Sequence, residues 1–179
     1  VALIVFSLLP ANPVFAAETV EVKLSREEIV LAEARSLGPH EDGGSDSLEY
    51  SLDGNSDTYT NSNYNGNGQS TGVELAHPQT YVFTLSEAMD ISKVGVKPRS
   101  AGHLTQLDHF SVYLSMDGSA WTPVKENVDV SSRDMVYASF TATEASYVKL
   151  ELYAQEGVNC VSTSEVEIYR LEETAEVNK

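Results

Sequence analysis

A series of short runs alternating apolar and polar residues is the feature that most limits what this chain can become. The runs are residues 81–85 (Tyr-Val-Phe-Thr-Leu), 91–97 (Ile-Ser-Lys-Val-Gly-Val-Lys), 110–115 (Phe-Ser-Val-Tyr-Leu-Ser), 121–124, 135–141, 147–153 (Tyr-Val-Lys-Leu-Glu-Leu-Tyr) and 165–171. A period of two puts alternate side chains on opposite faces of a strand, so each run can bury one face of a sheet. Between the third and fourth runs stands Met116-Asp117-Gly118-Ser119, and Asp-Gly between two such runs signals a hairpin. No stretch repeats apolar residues at helical spacing over the length a βαβ unit needs. Short strands at close spacing without long helices predict an all-β sandwich.

Residues 29–36 (Ile-Val-Leu-Ala-Glu-Ala-Arg-Ser) suit helix or strand, and the β context favours a strand. Residues 18–28 read as a leader with one helical turn, capped by Ser25 and closed by Glu28 at capping-box spacing. Gly38, Pro39, Gly43 and Gly44 mark residues 37–47 as a loop, and residues 65–72 are polar and glycine-rich. The main domain is expected over residues 29–171, followed by an acidic tail or linker at 172–179.

The chain has 179 residues, 41% of them hydrophobic, enough for one core and little more. Eleven Lys and Arg face 27 Asp and Glu, a net charge of −16. Such a surface repels a phosphate backbone and an anionic membrane, which argues against nucleic acid as a partner. Residues 1–17 are apolar, broken by Pro10, Asn12 and Pro13, and end in Ala16-Ala17. That run resembles the later part of a secretory signal peptide with its basic start missing, and it is too short and interrupted for a membrane span. Export is therefore expected, into a secreted or cell-surface setting, with a Gram-positive bacterium as the expected source. Cys160 is the single cysteine, so no internal disulfide can staple the fold.

The chemistry concentrates in residues 50–64. Asp53, Asn55, Asp57 and Thr58 offer carboxylate, amide and hydroxyl oxygens around Gly54, which can adopt positive φ. Oxygen donors on a short loop suit a hard cation such as calcium. The same Asp-Gly-Asn also serves as a plain turn between strands. No Gly-x-Ser-x-Gly, His-Glu-x-x-His or glycine-rich phosphate loop occurs. His40, His77, His103 and His109 lack metal-ligand spacing. Carboxylate pairs are too common in an acidic chain to mark an acid/base pair by count.

Several pieces in order resemble one family: Asp53-Gly54-Asn55-Ser56-Asp57-Thr58, Lys97-Pro98-Arg99, residues 112–124 with Met116-Asp117-Gly118-Ser119-Ala120-Trp121, Tyr147-Val148-Lys149-Leu150, and Glu165-Val166-Glu167-Ile168-Tyr169. Together they resemble the discoidin or coagulation-factor type C domain, and within it the bacterial family 32 carbohydrate-binding modules. The resemblance implies a galactose-binding-like jelly-roll sandwich of about eight strands, with one structural calcium and a shallow sugar site in loops at one end. It implies calcium held by the backbone oxygens of Tyr50 and Ser164, the side chains of Asp53 and Asn55, Thr58, and the Glu165 carboxylate. For the sugar it implies Arg99 after the Pro, Tyr64 as the stacking aromatic, and Asn61 at or near the family's His position. Asn63, His103 and Asn159 are further candidates in neighbouring loops. Two departures bear on galactose itself: the loop after Arg99 has no Asn, and the loop holding Asn159 has no Phe. The plain alternative for Arg99 is a surface charge paired with one of the many carboxylates.

The expected function is thus a secreted, non-catalytic, monomeric module of a larger extracellular protein. It would recognise a terminal galactose, GalNAc or GlcNAc type sugar on host or mucin glycans. The alternative is a discoidin-like adhesion module for a protein or matrix partner.

Overall fold

The computed structural model describes residues 18–35, 48–61, 78–99, 107–156 and 161–174. The expected signal peptide, the loop at 37–47 and residues 62–77 lie outside that set, as do Tyr64, Asn63, His103, Asn159 and Cys160. Eight strands are present among the described residues: β1 (Thr19–Lys23), β2 (Ile29–Arg35), β3 (Thr60–Asn61), β4 (Gln79–Pro98), β5 (Leu107–Ser115), β6 (Thr122–Asp129), β7 (Val136–Ala154) and β8 (Ser162–Glu173). All pairings are antiparallel. Among the described residues two short 3₁₀ turns lie between them, Arg26–Glu28 and Leu48–Ser51. The all-β sandwich expected from the alternating runs, and the jelly roll that the family resemblance implies, are the observed fold.

Register shows how one hydrogen-bonded path makes two layers. The first half of β4 lies between β2 and the second half of β7, with Phe83 opposite Ala32 and Val148. That layer continues through β5 to β6. The second half of β4 lies between β8 and the first half of β7, with Val94 opposite Ile168 and Ala138, and β1 extends this layer beyond β8. Two strands therefore run through both layers. Register shifts in β4 between Thr84 and Met89, and between Ile91 and Lys93, mark where it bends. Bulges bend a strand and raise its twist without ending its pairing.

The core lies between the layers. Tyr81, Phe83, Leu85, Val148, Leu150, Leu152, Phe110 and Val112 come from one, and Val94, Val96, Ala138, Val166 and Ile168 from the other; all are nearly or fully buried. Their period of two is the one read in the sequence.

Four expectations need correction. The runs at 81–85 and 91–97 are one strand, as are those at 135–141 and 147–153, because turn residues are not required where a bulge bends the chain. Plain alternation places Ile91 beside Lys93, yet Ile91 is fully buried with Val94, since the irregularity between Ile91 and Lys93 shifts the phase by one residue. The segment read as a leader contains β1, paired with β8 from Thr19↔Glu173 to Lys23↔Tyr169. The same pairing draws Glu172 and Glu173 of the expected tail into β8, and the Thr174 N–H donates to the Glu18 carbonyl. β1 shows mostly exposed residues, so its burial pattern carries little signal. Within that segment the turn at Ser25 forms as read, the Ser25 N–H donating to Glu28 Oε2 at 2.7 Å.

The Asp-Gly hairpin is also as read. Asp117 Oδ1 accepts from the Ser119 and Ala120 N–H groups at 2.8 and 2.9 Å and from the Ser115 hydroxyl at 3.1 Å, while Gly118 sits at φ +71°. These donors hold the Asp117 carboxyl well below the usual carboxylate range, the Ala120 N–H having the largest effect.

Candidate functional site

The oxygen-rich loop closes on a single hydroxyl. Thr58 Oγ1 lies 2.7 Å from Asp53 Oδ2, 2.7 Å from the Asn55 carbonyl oxygen and 3.5 Å from the Tyr50 carbonyl oxygen. A hydroxyl has one proton to donate, so three acceptors around it leave an excess of oxygen lone pairs. Gly54 takes φ +74°, the left-handed conformation that brings Asp53 and Asn55 round the turn. The Asn55 N–H donates to Asp53 Oδ1 at 2.8 Å, which orients that carboxylate. The Asn55 side chain is turned differently from expectation: its Oδ1 accepts the Asp57 N–H at 3.1 Å, and its main-chain oxygen faces Thr58. Asp57 itself is exposed.

Glu165 approaches from β8. It is 8% exposed, and its Oε1 is buried without a hydrogen-bond partner. Burial, then the charge of Asp53, push its carboxyl pKa up, while the Gly54 N–H partly offsets them. Ser164 is buried beside it in the strand. Among the described residues no group of three or more His, Cys, Asp or Glu gathers. Thr58 Oγ1 thus meets one carboxylate, that of Asp53, and two carbonyl oxygens, and the Glu165 carboxylate lies across the same cavity from Asp53. An oxygen-only set with an orphaned buried carboxylate oxygen fits a hard cation of calcium's type and not a soft transition metal.

The loop is tied down on both sides. Lys97 Nζ donates to Ser56 Oγ at 2.7 Å, docking its tip on the sheet. At its neck Ser51 Oγ donates to Thr60 Oγ1 at 2.8 Å and lies 2.8 Å from Thr163 Oγ1, and Tyr81 Oη stands 3.2 Å from that same Thr163 atom. All four residues are essentially fully buried. A connected buried hydroxyl network fixes geometry more firmly than isolated bonds do. It also explains why the two-residue β3 holds its place against β8.

Arg99 follows β4 directly, and its N–H donates to the Ser162 carbonyl at 3.1 Å. Its guanidinium carbon lies 3.6 Å from the centroid of the Tyr59 ring, a stacked cation-π contact. Its Nε is buried and has no hydrogen-bond partner, and no carboxylate pairs with it among the described residues. Among the described residues, then, Arg99 is not one half of an ion pair. Asn61, by contrast, is 4% exposed, and its Oδ1 accepts the Ser162 hydroxyl within the β3–β8 pair. That oxygen serves the strand pairing. Tyr59 was not a sequence candidate: its neighbours are all polar, and nothing local distinguishes it from Tyr50 or Tyr64. Only its encounter with a residue forty positions away picks it out.

The model of the F5/8 type C domain matches residues 32–166. The chain belongs to the F5/8 type C domain family. No curated protein matches it in sequence. Similar solved structures include the family 32 carbohydrate-binding module of Clostridium perfringens NanJ in complex with galactose, at 21% identity and TM-score 0.66, covering 84% of this chain and 100% of that one. CpGH89CBM32-5, also from Clostridium perfringens and in complex with GalNAc-β-1,3-galactose, is 22% identical with TM-score 0.61, covering 76% and 94%. The family 32 module of AlyQ in complex with 4,5-unsaturated mannuronic acid is 23% identical with TM-score 0.61, covering 82% and 97%. At these identities the likeness is one of fold. For this F5/8 type C domain it bears out the jelly-roll expectation and its likeness to sugar-binding modules.

Proposed function

We propose that this F5/8 type C domain is a non-catalytic, calcium-stabilised module that binds a terminal sugar of the galactose, GalNAc or GlcNAc type. The observation that carries the reading is Arg99: a guanidinium stacked on Tyr59, its Nε buried and unpartnered, in a chain with a net charge of −16. The Arg99 side chain is half-buried and its guanidinium has no carboxylate partner among the described residues, so its exposed donors are open to sugar hydroxyls. The planar fork can donate to two neighbouring hydroxyls, and Tyr64 is the proposed stacking aromatic. Asn63, His103 and Asn159 complete the proposed rim. Sugar complexes of similarly folded modules support this assignment.

In the same reading calcium is held by Asp53, Glu165, Thr58 and the carbonyl oxygens of Tyr50, Asn55 and Ser164. It supplies positive charge where the two carboxylates converge, and pins the loop at 50–58 to β8. Residues 1–17 direct export, and the domain tethers a larger extracellular protein to complex glycans of host or mucin type.

A glycan array with the purified protein in calcium, repeated with Arg99→Ala, tests this. Binding to one class of terminal sugar that falls at least about tenfold in the variant is expected, since one hydrogen bond to a charged group contributes about 1.5–3 kcal/mol. A blank array with folded protein overturns the sugar reading in favour of discoidin-like adhesion to a protein or matrix partner.

A further inference from the structure

We infer that Tyr59 is a positioning residue through which the cation site sets the orientation of Arg99. The inference rests on the calcium reading above and extends it from stability to ligand presentation.

The path is covalent and short. Thr58, whose hydroxyl lies among the oxygens of Asp53, Asn55 and Tyr50, directly precedes Tyr59. Tyr59 directly precedes Thr60, which is held by the Ser51 hydroxyl and paired with Thr163. One residue thus spans the cation site and the buried hydroxyl network. Its ring lies under the guanidinium of Arg99 at 3.6 Å.

Nothing else among the described residues fixes the Arg99 side chain. Its backbone is anchored on the Ser162 carbonyl, but the guanidinium has no carboxylate partner and its Nε no acceptor. An arginine side chain has several free torsions, so its plane is set by the surface it stacks on. Among the described residues that surface is Tyr59.

Without a cation, one hydroxyl proton faces three acceptors and can satisfy only one at a time. A cation held there would draw on the Asp53 carboxylate, the Tyr50 and Asn55 carbonyl oxygens and the Thr58 hydroxyl oxygen, and would remove that competition for one proton. The loop neck is fixed by Ser51, Thr60 and Thr163, and the Thr58 N–H donates to the Asn55 carbonyl at 3.0 Å, so a cation shared by that carbonyl and the Thr58 hydroxyl would hold the turn that leads directly into Tyr59. Ordering one element that two sites share couples them, and the coupling is reciprocal.

The test needs no sugar. In ¹⁵N-labelled protein each arginine gives one Nε–H resonance, and Arg99→Lys identifies that of Arg99. Calcium is titrated into wild type, Tyr59→Phe and Tyr59→Leu. Wild type is expected to show backbone amides of residues 53–58 and the Arg99 Nε–H moving together, with the same apparent Kd. Tyr59→Phe keeps the ring and is expected to keep the Arg99 response. Tyr59→Leu removes the stack, and is expected to lose that response while binding calcium within about threefold of wild type. Amide resonances of the core strands confirm that each variant is folded.

If the loop amides respond to calcium and Arg99 does not, the coupling is refuted and the calcium reading stands. If Tyr59→Leu retains the full Arg99 response, Tyr59 is not the route. If no resonance of wild type responds to calcium, both this inference and the calcium reading fail.

Discussion

Replacing Ile91 with alanine separates the phase of β4 seen in the structure from the phase its alternation suggests. Ile91 is fully buried, opposite Thr143 in β7 and Arg170 in β8, on the core side of the irregularity that precedes Lys93. Ile91→Ala removes three carbons, a transfer loss of about 2.4 kcal/mol at roughly 0.8 kcal/mol per methylene. The cavity left behind adds to this, and buried isoleucine-to-alanine changes cost about 2–5 kcal/mol in all. For a domain of this size each kcal/mol lowers Tm by about 2–4 °C, so a fall of roughly 6–12 °C is expected for a cost near 3 kcal/mol. Urea unfolding followed by tryptophan fluorescence reads the difference, since Trp121 is the single tryptophan. Lys93→Ala is the control. Lys93 faces outward, paired with Glu21 and lying 4.1 Å from the Tyr169 ring centroid, and its loss should cost about 1 kcal/mol or less. An Ile91→Ala cost as small as that of Lys93→Ala would show Ile91 on the outer face, and would refute the bulge as the device that turns β4 between layers.

Three further perturbations have defined outcomes. Removing calcium with EDTA should lower Tm in a concentration-dependent way, because a ligand at a hundredfold its Kd stabilises by about 2.7 kcal/mol; a Tm indifferent to EDTA and to added calcium would count against the cation site. Asp117→Asn keeps an acceptor but not the charge. Because the folded pKa of Asp117 is depressed, its contribution is present above the unfolded value and lost as pH falls through the folded one. The stability gap between variant and wild type should therefore be widest at neutral pH and close below about pH 4; a gap constant across urea melts from neutral to acid pH would contradict that account. Gly118→Ala places a Cβ at φ +71°, and 3.3 Å from the Tyr147 ring, so it should cost about 1–2 kcal/mol in the same melts; a neutral result would mean that the hairpin can adopt another turn.

The sequence alone determined the fold class, because a period of two is a local property: which face of residues 110–115 or 147–153 turns inward follows from neighbours two positions away. It also determined the Asp-Gly hairpin, the capped turn at Ser25 and the oxygen-rich loop, since their bonds all close within a few residues. The tertiary structure decided whatever depends on two distant segments meeting. That β4 and β7 each run unbroken through both layers depends on register shifts along their pairing, and these carry no residue signature here. That Thr19–Lys23 is a strand depends on β8 offering a free edge, because its own side chains are mostly exposed. The oxygens of Asp53 and Asn55 were legible, but which oxygen of Asn55 turns inward was settled by the competing Asp57 N–H. Arg99 was legible from its place after Pro98. Its stack on Tyr59 was not, for the contact joins the end of a twenty-residue strand to a loop forty positions earlier, and only the folded sheet brings the two within 3.6 Å.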